Sequence, residues 1–281
     1  MMSKRDFKRL HRDIDRLIMQ AEKGIFSNYE AALKELKGEI SKLYEKYSIG
    51  GKLTEREMLK YNRIKALEKD IVLTVNMTYE RNHEEIANTL KRAFRDTSKS
   101  LMTIVSEETG KQLKAITKAR DVNKTINDNM AGLNWAERQG KHRADLIYDI
   151  QKTVKEGIAQ GDTYRTMAKR LNKEVDVSMN KATTIVRTET ARVNAAAQKE
   201  TLDKVEAAGV KMTKTWNNVM DERSRGYEET DETDHMAMND VTVPYGDNFT
   251  LPDGVETFAP KMTGEAKHDI NCRCFIAVEF E

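Results

Sequence analysis

Apolar residues recur at threes and fours through most of this chain. Phe7, Leu10, Ile14, Leu17 and Ile18 open a helical stripe that Gly24 weakens without ending. Tyr29, Leu33, Leu36, Ile40, Leu43 and Tyr47 continue it as the seam of a helix packed on another helix. Ser48-Ile-Gly50-Gly51 reads as a turn, and Thr54-Glu-Arg-Glu57 as a capping box, the Thr hydroxyl accepting from first-turn amides. Beyond it Tyr61, Ile64, Leu67, Ile71 and Val75 keep the helical period, so residues 29 to about 80 predict an antiparallel helical hairpin. The pattern then thins: Leu90, Phe94, Leu101, Val105, Leu113 and Ile116 stand among charges, and so narrow a stripe needs a neighbour to lean on.

Asn127-Asp-Asn-Met-Ala-Gly132-Leu-Asn134 breaks the pattern and marks a boundary. Asn134 can cap a helix carrying Leu146, Ile150, Val154 and Ile158 to Gly161. A second helix restarts at Asp162-Thr163, and a third at Ser178 with Ala182, Ile185, Val186, Glu189 and Val193 on one face, ending near Gly209. After Gly209 the period becomes two: Val210, Met212 and Trp216 oppose Thr213 and Thr215, as on a strand. Asp231–Met238 predicts one or two helical turns, Val241–Val243 a short strand, and Cys272–Phe280 a closing strand. The expectation is a mainly α fold: an extended helical arm over 1–130, a helical bundle over 131–209 and a small α+β module over 210–281, the last two forming one domain.

Composition adds to this picture. One third of the residues are charged, aromatics are 6%, and mean hydropathy is −0.72, values that suit long helices with much solvated surface. The net charge of +2 hides a division, since residues 1–130 carry 27 Lys and Arg against 20 Asp and Glu while residues 211–281 carry 7 against 15. A polyanion would therefore meet the helices first, although Lys/Glu-rich helices are also the ordinary solvated kind. Two cysteines are too few for a disulfide framework, and Met1-Met-Ser-Lys-Arg begins no apolar leader. No run approaches a membrane span. These features place synthesis in a reducing cytoplasm.

Chemistry-bearing residues gather between Trp216 and Cys274. On an extended segment Cys272 and Cys274 face one side and Arg273 the other. With His268 four residues upstream and His235 behind the acidic run, they form either a zinc set or two buried thiols in a reduced protein with His235 as a polar contact. Asp221-Glu-Arg223-Ser-Arg225 places acid beside base with no nucleophile, which favours an ion pair fixing a turn. Glu228–Asp234 lacks the ligand alternation of a calcium loop and reads as solvated. Within the third helix Arg187-Thr188-Glu189 must work through other partners, Arg192 among them, because residues two apart do not face each other.

Taken in order, these pieces resemble the MuF-like phage head morphogenesis proteins, also called phage minor head or minor capsid proteins. The resemblance runs from Gly161-Asp-Thr-Tyr through the Arg187-Thr-Glu189 helix, Trp216, Asp221-Glu-Arg223-Ser-Arg225, His235, Asn239, Phe249 and Pro260 to Asn271-Cys-Arg273-Cys274, about 120 residues. An acidic insertion, Gly226–Thr233, separates the arginines from His235, whereas in the family the histidine follows closely, and Asn239 stands where a glycine is usual. The resemblance implies a structural role in the virion: a few copies at the portal vertex during head assembly, in contact with portal, scaffold or major capsid protein and with phage DNA. Two rivals from other classes are an ADP-ribosyltransferase-like toxin enzyme and a DNA-binding protein without sequence specificity. Seven residues follow Cys274, which argues against an added catalytic domain at that end.

Overall fold

The structure is a computed structural model of the 281-residue chain and describes residues 4–116 and 118–281; Met1–Ser3, where the sequence begins no apolar leader, lie outside the described residues. The protein is mainly α. Helices α1 (Lys4–Tyr47), α2 (Glu55–Leu59), α3 (Arg63–Thr109), α4 (Ala119–Ile126), α5 (Trp135–Ala159) and α6 (Tyr164–Ala207) precede strands β1 (Met212–Asn217), β2 (Thr242–Pro244), β3 (Phe249–Thr250) and β4 (Glu256–Thr257), the short helix α7 (Ala266–Asp269) and strand β5 (Phe275–Phe280).

Helix ends follow local chemistry. Thr54 caps α2 by accepting the Glu57 amide at 3.3 Å, and Thr163 does the same for the Thr166 amide at the head of α6. Gly161 and Gly209, both at positive φ, follow α5 and α6 where the chain must turn away. One expected break is absent. Residues 164–207 form a single helix, because Ser178 is not a cap: its hydroxyl is buried between the phenols of Tyr29 (3.3 Å) and Tyr79 (2.7 Å), and no glycine or proline interrupts the run.

Two compact units are each assembled from separate stretches of chain. One takes residues 21–86 and 136–185 and buries Tyr29, Leu36, Ile40, Ile71, Val75, Ile150, Val154 and Leu171. In it the α1–α2 connection turns through Gly50 and Gly51 at positive φ, and Tyr44 donates to the Asp162 carbonyl at 2.8 Å.

The other unit takes residues 1–20, 87–135 and 186–281 and contains the site. Its sheet has the order β2-β1-β5, antiparallel throughout, with Trp216 opposite Ile276 and Met212 opposite Phe280; β3 and β4 pair separately as a short ribbon. Phe7 and Leu10 of α1, Leu101 and Val105 of α3, and Leu202 and Val205 of α6 pack with Trp216, Phe249, Phe275, Ile276 and Val278 in one core. A small sheet cannot enclose its own apolar face, and here the helix ends cover it. The segment 231–238, expected to be helical, consists of bends and turns: its polar groups bond locally, as in Asp234 accepting the Ala237 amide at 3.0 Å.

Candidate functional site

Three buried donors converge where the segment before β5 meets the long β1–β2 loop. Cys272 and Cys274 lie just ahead of β5 rather than on it, yet the extended spacing still turns both sulfurs to one side. The Nδ1 of His235 stands 3.7 Å from Sγ of Cys272 and 3.8 Å from Sγ of Cys274. All three side chains are buried, and their donor atoms lie within 4.8 Å of one another. Such a set could hold a metal ion.

Behind His235 runs a polar chain. Its Nε2 is 3.0 Å from Nδ1 of His268, with the two rings stacked at 5.3 Å and 6°; His268 Nε2 is 3.0 Å from Oδ2 of Asp253, which also accepts from Lys267 at 2.7 Å. The Lys267 ammonium holds the Asp253 carboxyl down to about 2. Burial pushes the His268 imidazole below its ordinary value against the pull of Asp253. Between the two cysteines, the bond from Cys274 and then His235 lower the Cys272 thiol, and the same bond together with burial raises that of Cys274. His268, grouped with the cysteines from sequence, is thus the hydrogen-bond partner of His235. Trp216 closes the flank, its ring edge-on to His235 (5.6 Å) and to Phe249 (5.3 Å).

The charged motif residues hold the loops that carry these donors. Asp221 accepts the backbone amide of Arg223 at 3.1 Å, and the guanidinium bound to its carboxylate comes from Arg273, between the two cysteines. That contact is the main reason the Asp221 carboxyl sits below its usual range. Arg225 donates to the carbonyls of Lys267 (2.7 Å) and Ile270 (2.5 Å), while its own carbonyl accepts the amides of His235 and Met236 at 3.0 Å. One residue therefore ties the His235 loop to α7, which bears His268.

The Arg187–Glu189 segment of α6 contributes from the opposite side. Thr188 accepts the backbone amide of Asn271 at 3.1 Å, next to Cys272. Glu189, fully buried, receives Arg192 Nε at 2.7 Å, and Arg192 reaches on to the Thr125 carbonyl at 3.0 Å, anchoring the end of α4. Arg187 is exposed.

Sequence reasoning missed three contributors. Asp253, in the turn between β3 and β4, carries no periodic signal. Lys214 sits two residues from both Met212 and Trp216, so period two places it on their buried face, where its Nζ lies 3.2 Å above the Phe258 ring. His11 falls on the apolar stripe of α1 beside Leu10 and stacks on Phe275 at 4.6 Å.

Residues 148–277 match the family described as Phage Mu protein F like protein. Nearly the whole chain aligns with the minor head protein GP7 of Bacillus phage SPP1, 29% identical over 266 residues that cover 94% of this chain and 84% of that protein. A second relative is the NAD(+)–arginine ADP-ribosyltransferase EFV of Enterococcus faecalis, 26% identical over 149 residues, or 53% of this chain but only 29% of that protein. No solved structure matches. The family match begins in α5, takes in the Arg187–Glu189 helix and ends in β5, so that it encloses the sulfur–imidazole cluster and its clamps, and over these residues the chain resembles the MuF-like phage minor head proteins.

Proposed function

We propose that this chain is a structural component of a phage head, made in the bacterial cytoplasm and built into the virion during head morphogenesis, where it joins the portal vertex through contacts with the portal, scaffold or major capsid protein. The alignment with a phage minor head protein over 94% of the chain carries this reading. The site supports it: Asp221 and Arg273 bind each other, Arg225 binds backbone carbonyls and Glu189 binds Arg192, an arrangement that fastens loops. Among the described residues no helix is long and apolar enough to cross a membrane. The basic excess of residues 1–130 would favour contact of the helices with packaged DNA.

Co-expression with the portal protein encoded beside it, followed by sedimentation, tests the reading: the two should co-migrate, and the chain should be present in purified heads. A chain absent from both would overturn it. The similarity to an ADP-ribosyltransferase motivates a parallel assay with labelled NAD and an arginine-containing acceptor protein. The structural role expects no transfer above an acceptor-only control, since this chain spans less than a third of that relative.

A further inference from the structure

The geometry points to a structural zinc site in which His235 Nδ1, Cys272 Sγ and Cys274 Sγ bind one ion and the His268–Asp253 pair orients the imidazole. Bond lengths of about 2.3 Å to sulfur and about 2.05 Å to imidazole nitrogen, at a tetrahedral angle, separate the two kinds of donor by about 3.6 Å. The observed separations of 3.7 and 3.8 Å agree with that within the tolerance expected of such a site.

The tautomers lead to the same place. Asp253 can only accept, so His268 Nε2 carries the proton it donates, leaving His268 Nδ1 as an acceptor. That acceptor requires a proton on His235 Nε2. His235 Nδ1 is then a lone pair directed at two sulfurs, one more than an in-plane lone pair can serve by hydrogen bonding. A carboxylate–histidine–histidine series behind a ligating nitrogen is the kind of outer arrangement that fixes ring orientation at metal centres. Charge closes as well: binding Zn²⁺ releases the two thiol protons to solvent, and two thiolates with a neutral imidazole balance the ion. Three protein donors leave the fourth tetrahedral position to a water, and with all three donors buried the ion would brace the β1–β2 loop against the entry to β5.

The experiment uses the full chain, and because binding is measured on isolated protein it is independent of the role in the head. Protein purified from zinc-supplemented cells is assayed for metal content, stripped with a chelator, and titrated with Co²⁺. Expected are one zinc per chain, a thiolate-to-cobalt charge-transfer band with tetrahedral d–d absorption, and a melting temperature that falls on stripping and returns with Zn²⁺. Cys272→Ser and Cys274→Ser should lose the band. His268→Ala should keep the stoichiometry while weakening affinity by about 10- to 100-fold, a change that loss of a mere packing residue would not produce. Should a serine variant fail to fold, the cobalt titration of the unmodified chain still decides. Zinc well below one per chain, with no charge-transfer band in the stripped native protein, would overturn the proposal.

Discussion

Two buried ionisable side chains illustrate how single residues tax this fold. His11 is 8% exposed and stacks on Phe275; burial first, then the charges of Lys261 and Arg273, push its imidazole down to about 3, outweighing Asp15 at 3.6 Å. The folded value lies below the unfolded one of about 6.5, so the unfolded chain binds the extra proton and stability falls as pH drops from about 6.5 toward 3. Urea unfolding at pH 4.5 and 7 should show a loss of about 2 kcal/mol from this residue, and His11→Phe should remove most of that difference. Lys214 is fully buried among Phe258, Phe249 and Tyr245, and burial, with Lys199 second, lowers its ammonium to about 7. Here too the unfolded chain holds the proton more tightly, so stability climbs between about pH 7 and 10.5. The ring contact returns on the order of 2 kcal/mol, less than desolvating the charge costs. Lys214→Met should therefore raise the melting temperature at pH 7 by a few degrees and flatten the alkaline rise.

Among the elements, the β1–β2 loop is ordered by contacts that local sequence could not announce. Its acidic insertion folds on itself, with Asp231 accepting the Gly226 amide at 2.8 Å. Gly226 has φ +89°, and a Cβ there would lie 2.0 Å from Oδ1 of Asp234 and 3.2 Å from its Cα, so neither side chain nor backbone leaves space. Gly226→Ala should cost about 2–3 kcal/mol and displace Asp234 and His235, read as faster proteolytic cleavage between residues 221 and 240 at an unchanged helical signal. The long helices were legible because their stripes persist over many turns; the fusion of two expected helices at Ser178 was not, because whether a serine caps or packs depends on the tyrosines brought to it.

At the scale of the whole molecule, charge is the property that sequence gives directly. With the excess of Lys and Arg over residues 1–130 and the acidic 211–281 segment, the DNA contact proposed above would rest on phosphate neutralisation by the helices. A filter-binding titration should give equal affinity for unrelated duplexes and, for about three neutralised phosphates, a loss of about 40-fold between 50 and 200 mM salt. Binding insensitive to salt would remove DNA from the partners proposed for this chain.

The amino-acid sequence by itself determined the helical class, the turn at Gly50-Gly51, the change to period two after Gly209 and the pairing of Cys272 with Cys274 on one side, since each follows from backbone geometry and side-chain spacing within a few residues. Only the tertiary structure decided which residues meet. It set Asp253 behind His268 and His268 behind His235, gave Asp221 the guanidinium of Arg273, and laid the start of α1 on β5 through His11 and Phe275. Those partners are 15 to more than 260 positions apart, and what selects them is the burial of one shared apolar core, a property of the whole set of surfaces that no local window contains.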